Sequence, residues 1–137
     1  MENSNKISEV TEAFNLPGEL KECIPYGNGH INDTYRLTCE TPEGIRRYIL
    51  QRMSRRIFKN PQELMENVSG VTSWLRKKII ENGGDPERET LTLLNSRENL
   101  PYFVDSTGDY WRIYLFIEGH LDFSQKKKLT NLLFPFK

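Results

Sequence analysis

Apolar and polar positions alternate along residues 31–40, where Thr34, Arg36 and Thr38 oppose Asp33, Tyr35, Leu37 and Cys39. They alternate again over 110–117, where Trp111, Ile113, Leu115 and Ile117 share one face. A period of two predicts half-buried strands. Residues 20–26 and 45–53 supply two more, and Thr41-Pro42-Glu43-Gly44 is a turn by composition. The stretch from 20 to 53 therefore predicts an antiparallel meander. Short strands are expected at 90–94 and 102–105, with Thr107-Gly108-Asp109 turning into the last one. Between the meander and these strands the period changes to 3.6. Leu64, Val68, Val71, Leu75 and Ile79 fall on one helical stripe, Asn60 and Pro61 suit its start, and Asn82-Gly83-Gly84 its end. A shorter amphipathic helix is expected over 4–15, where Ser8, Glu9, Val10, Ala13 and Phe14 precede Asn15 and Pro17-Gly18. The expected class is α+β: an antiparallel sheet of about five strands, one long packed helix and a short N-terminal helix.

Composition narrows the partners. The 137 residues are 36% hydrophobic and 28% charged, with 19 basic and 19 acidic side chains, so bulk charge gives no attraction for nucleic acid or an anionic membrane. No run approaches the ~18 apolar residues of a membrane span, and the start Met1-Glu2-Asn3-Ser4-Asn5-Lys6 lacks the pieces of a secretory signal. The expected compartment is the cytoplasm. Cys23 and Cys39 stand out of step across the expected hairpin, which predicts two free thiols and suits a reducing compartment. Neither internal repeats nor low-complexity tracts are present. The basic residues from Arg46 to Lys59 interleave with Tyr48 and Phe58, a pattern that suits single-stranded nucleic acid; the balanced charge weighs against it.

Chemistry concentrates in the turn between the first two strands, Tyr26-Gly27-Asn28-Gly29-His30-Ile31-Asn32-Asp33-Thr34. Gly27 and Gly29 permit positive φ and close approach of a ligand to the main chain, while Asn32 and Thr34 add side-chain donors. This is a phosphate-holding turn or, since Asn28-Gly29 is by itself a hairpin signal, an ordinary hairpin.

The order of parts is that of the small lobe of kinase-type phosphotransferases: glycine turn between strands, third strand with a cation, long helix, then strands ending at a glycine. Gly29, Asn32, Thr34, Tyr35 and Leu37 resemble the Gly-x-x-Asn-x-Thr-Tyr-x-apolar signature of the aminoglycoside phosphotransferase and choline kinase superfamily. Residues 48–53 look like its third strand, and residues 60–68 and 116–119 look like the helix start and hinge of one branch, the N-acetylhexosamine 1-kinases. The resemblance covers about residues 7–119. It implies that the backbone and side chains of Gly27, Gly29, Asn32 and Thr34 meet the phosphates of ATP, and that Arg52 takes the place of the strand cation. Arg52 is otherwise one more charge in a basic patch, and a slip of one residue would give its place to Gln51. The acidic partner of that cation lies among Glu63, Glu66 and Asn67, with Glu66 and Asn67 in the piece most like the family; Glu63 and Glu66 equally complement a helix N-terminus. Glu118 and Gly119 would offer hinge backbone groups to adenine, with Leu50 and Ile24 as walls of its slot. Trp74 and Trp111 read as core or rim residues.

The resemblance also implies a division: residues 1–119 as a nucleotide-binding lobe and 120–137 as an atypical tail. In full-length relatives the catalytic aspartate and the magnesium ligands lie in a large C-terminal lobe, and no catalytic loop or metal segment is found after Gly119. The expectation is a truncated or frame-shifted sugar-kinase-like product with weak or vestigial ATP binding, not able to transfer phosphate alone. An exposed lobe face would be covered by Leu129, Leu132, Leu133 and Phe134 of the tail or by a second copy in a homodimer. The alternative is a non-catalytic protein-interaction or regulatory module on the same fold. Relatives at times carry a mucin-desulfating sulfatase label. Sulfatases use Cys-x-Pro-x-Arg, and Cys23-Ile24-Pro25-Tyr26-Gly27 has glycine where the arginine must be, which excludes that chemistry.

Overall fold

A computed structural model describes residues 2–27, 34–53 and 59–117, the side chains of residues 2–5 excepted. Gly29, Asn32, Glu118, Gly119 and the tail from 120 to 137 lie outside the described residues, as does most of the basic linker after Met53. The chain runs α1 (Glu2–Ala13), β1 (Glu19–Pro25), β2 (Thr34–Thr41), β3 (Gly44–Met53), α2 (Pro61–Glu81), α3 (Pro86–Glu89), β4 (Phe103–Val104) and β5 (Tyr110–Leu115). The strands form one five-stranded sheet in the order β1-β2-β3-β5-β4, every neighbour antiparallel. The fold is thus α+β, with a long helix and a short N-terminal one.

The two helices cover opposite faces. On one, Val10 and Phe14 of α1 are buried against Leu37 and Cys39 of β2, Tyr48 and Leu50 of β3, and Trp111 and Ile113 of β5. On the other, Met65 of α2 packs with Met53 and Tyr102, and Val68 packs with Leu91. Alternation along the strands decides which side chain goes to which helix. Gly18 makes the first corner possible: its φ is 65°, and a Cβ there would stand 2.1 Å from the Glu40 carbonyl oxygen, so no other residue fits. The end of α1 is then held by Arg97, whose backbone N–H donates to Ala13 O at 2.8 Å. Asp105 organises the β4–β5 turn, accepting from Trp111 Nε1 at 2.8 Å, from the Thr107 hydroxyl at 2.7 Å and from the Asp109 N–H at 3.0 Å.

Three expectations are corrected. Residues 90–94 do not form a ladder strand. Thr90 ends α3, and the following segment touches β5 through one bridge, Leu93 to Tyr114. In α2 the buried stripe is Met65, Val68 and Thr72, while Val71 is 47% exposed. The helix is turned so that its Met65 side meets the sheet. Ile117 lies beyond the last pair of β5 and packs with Val68 and Leu91, away from the face of Trp111. Trp111 is core and Trp74 is exposed at 59%, with Lys78 Nζ 5.7 Å from its ring centre. Cys23 and Cys39 are both free: Cys23 is opposite Leu37, two residues out of step with Cys39.

Candidate functional site

Thr34 opens β2 and lies directly opposite Gln51 of β3, which lies opposite Arg112 of β5. Paired residues in an antiparallel sheet project to the same side, so these three line the face that α2 covers. Arg112 Nε donates to Gln51 Oε1 at 2.8 Å, and Nη1 reaches Met65 Sδ on α2 at 3.7 Å. The guanidinium is fully buried. Burial lowers its pKa to about 10, with the Tyr114 phenol acting the other way, and at neutral pH it keeps its charge. Burial in turn raises the Tyr114 phenol, against the pull of Arg112.

Arg52 is one residue further along β3 and therefore projects to the other face. Its Nη1 is 3.2 Å from Asp109 Oδ2, the same oxygen that Lys6 of α1 approaches at 3.2 Å. The structure does not bring Arg52 together with Thr34; Gln51 is the residue opposite Thr34. The adenine wall is corrected for the same reason. Leu50 is buried under α1, whereas Ile49 shares the α2 face with Arg36 and, beyond it, Ile24.

None of the three expected helix partners meets Arg52 among the described contacts. Glu63 accepts from Asn60 Nδ2 at 3.1 Å and donates its N–H to Asn60 Oδ1 at 3.2 Å, closing the helix start. Glu66 accepts from Gln62 Nε2 at 3.3 Å. Asn67 is exposed. The side of α2 that reaches the sheet carries Met65, which meets Arg112 of β5.

Tyr26 and Gly27 lead from β1 into the glycine turn. Gly27 has φ 75°, the left-handed conformation expected of it, and the Tyr26 N–H donates to Thr34 O at 2.9 Å. Three inter-strand spacings, ~14 Å, separate β1 from β5 in a flat sheet. The Tyr26 and Phe116 ring centres are nonetheless 5.4 Å apart, edge to face at 81°. The Tyr26 end of β1 and the Phe116 end of β5 therefore approach each other on the face of Thr34 and Gln51. Arg36 lies beneath, its Cζ 6.0 Å from the Tyr26 ring centre. Phe116 is placed by its N–H, which donates to Arg47 O at 3.0 Å.

Gln51 and Arg112 were missed as a pair because Arg112 sits on the polar side of an alternating strand. The signal available was position: a central strand in a sheet with helices before and after it has no solvent face. Among the described residues no three His, Cys, Asp or Glu side chains are grouped to hold a metal ion, and no helix is long and apolar enough to cross a membrane. The chain matches no protein-family model.

Proposed function

We propose that this chain is the nucleotide-binding small lobe of a kinase-type phosphotransferase, nearest in pattern to the N-acetylhexosamine 1-kinases, whose full-length relatives move the γ-phosphate of ATP to a sugar hydroxyl. The observation that supports the reading is the common face of Thr34, Gln51 and Arg112, with Thr34 at the end of β2 where the glycine turn enters. In this reading Gly27, Gly29, Asn32 and Thr34 meet the phosphates, and Glu118 and Gly119 meet the base. Arg112 replaces Arg52 as the source of positive potential. It acts through Gln51 from beneath the surface, at short range and in low dielectric. Binding is weak, and magnesium and catalysis belong to the large lobe of full-length relatives.

Thermal unfolding with ATP tests this. A ligand at ten times its Kd stabilises by about 1.4 kcal/mol, so the midpoint rises with millimolar ATP, and Thr34→Val blunts the rise. A midpoint indifferent to ATP with and without magnesium would overturn the reading.

A second reading, a protein-interaction module that forms a homodimer or meets another protein through the lobe face, is favoured by one contact. Arg52, the cation expected to meet phosphate, is engaged by Asp109. Silence toward ATP together with a dimer in sedimentation would support it.

A further inference from the structure

Away from that face, α2 and the extended segment 91–95 enclose a cavity of about 140 Å³. Ser69, Thr72, Ser73 and Arg76 fall at i, i+3, i+4 and i+7 of the helix, one polar stripe beside the buried Met65 and Val68. Thr92 and Asn95 face them across the gap. Among the described residues no carboxylate lines the cavity.

The hydrogen bonds leave donors available. Arg76 Nη2 donates to Thr92 Oγ1, which frees the Thr92 hydroxyl proton to point elsewhere. Thr72 is 6% exposed and spends its proton on Ser69 O at 3.1 Å, and the hydroxyls of Ser69 and Ser73 line the same wall. Among the described residues Arg76 pairs with no carboxylate, unlike Lys6, Lys21, Arg36, Arg46, Arg52 and Lys78. A half-buried guanidinium among hydroxyls, without an anion of its own, is chemistry suited to an oxyanion. The cavity has room for a group the size of a phosphate.

We propose that this cavity binds a tetrahedral phosphate, free or carried by a small phosphomonoester, with Arg76 as counter-charge and the hydroxyls of Ser69, Ser73 and Thr92 as donors. Bound there, it ties α2 to the strand that leads to Phe116. The Leu115 N–H donates to Thr92 O at 2.8 Å and the Leu94 N–H to Ile113 O at 2.9 Å. The site is independent of the nucleotide reading.

The test is an NMR titration of the whole chain with sodium phosphate, ionic strength held constant with chloride. Saturable shifts are expected at the amides of Ser69, Ser73, Thr92 and Asn95. Arg76→Gln should weaken them at least tenfold, and Arg76→Lys should restore part of the affinity. If Arg76→Gln does not fold, Ser73→Ala and Thr92→Val read the same wall. Tighter binding of glucose 1-phosphate than of inorganic phosphate assigns the phosphomonoester; equal or weaker binding assigns the free ion. Shifts no larger than chloride produces, shifts confined to the face of Thr34 and Gln51, or full affinity in Arg76→Gln would overturn the proposal.

Discussion

Arg112 stands between Trp111 and Ile113, both buried under α1, and on a strand with one wet face it would point to water. Here its side is covered by α2, so the guanidinium is desolvated and depends on Gln51 Oε1, 2.8 Å from its Nε. A hydrogen bond to a charged group contributes about 1.5–3 kcal/mol, and removing an acceptor from a buried donor costs on that scale. Gln51→Leu should therefore lower stability by about 1.5–3 kcal/mol even though it adds apolar surface to a nearly closed interior. Urea unfolding measures it; a midpoint unchanged or raised would mean that Gln51 does not hold Arg112. The neighbouring Arg52 makes the complementary point. Nothing in its own chemistry separates a phosphate ligand from a surface ion pair, and the period of two decides the matter: a single step along β3 moves a cation from the α2 face to Asp109.

At the scale of elements, the ends of α2 were easier to read than its orientation. Asn60 accepts from the Glu63 N–H and Pro61 takes the first helical position, because capping is local chemistry written in adjacent residues. The buried stripe is set by what the helix meets. Leu64, Val68, Val71, Leu75 and Ile79 make a tidy arc in sequence, yet the sheet receives Met65, Val68 and Thr72 and leaves Val71 exposed. Met65 is the side chain long and pliable enough to reach the Arg112 guanidinium and pack with Met53. Met65→Ala should then cost about 2–5 kcal/mol through the cavity it leaves, while Val71→Ala should stay within ~0.5 kcal/mol, as surface changes do. The reverse ranking in denaturant unfolding would restore the arc read from the sequence. The same logic accounts for residues 90–94. Their β-branched and leucine content reads as a strand, and they do run beside β5, but they join it only through the Leu93–Tyr114 bridge and its two backbone hydrogen bonds.

Over the whole molecule, covering both faces of the sheet buries titratable groups that ordinary alternation would leave wet, and this sets how stability varies with pH. Burial raises the thiols of Cys23 and Cys39 above 9.0 and the phenols of Tyr48, Tyr102 and Tyr114 above 10.0. A group whose pKa is higher folded than unfolded binds more proton in the native state at alkaline pH. Its contribution is complete below the unfolded value and is lost as pH climbs through the folded one. Arg112 works against these five, since burial lowers its folded value to about 10 and the native state sheds that proton first. On the acid side, burial acts to raise Asp105, but the bonds from Trp111, Thr107 and Asp109 outweigh it and hold the carboxylate below 3.8. That stability is present above the unfolded value and disappears as pH falls through the folded one. Stability should therefore be level between about pH 5 and 8, falling above ~9 as thiols and then phenols ionise more readily in the unfolded chain, and falling again below ~4. Asp105→Asn should flatten the acid limb and also lower stability at neutral pH, because it removes the titrating group and leaves one amide oxygen for the donors that two carboxylate oxygens now share. Unfolding free energies across pH, with phenol absorbance followed in parallel, check both limbs. Native phenols ionising together at their ordinary value would remove the alkaline limb, and an acid limb unchanged in Asp105→Asn would assign it to another carboxylate.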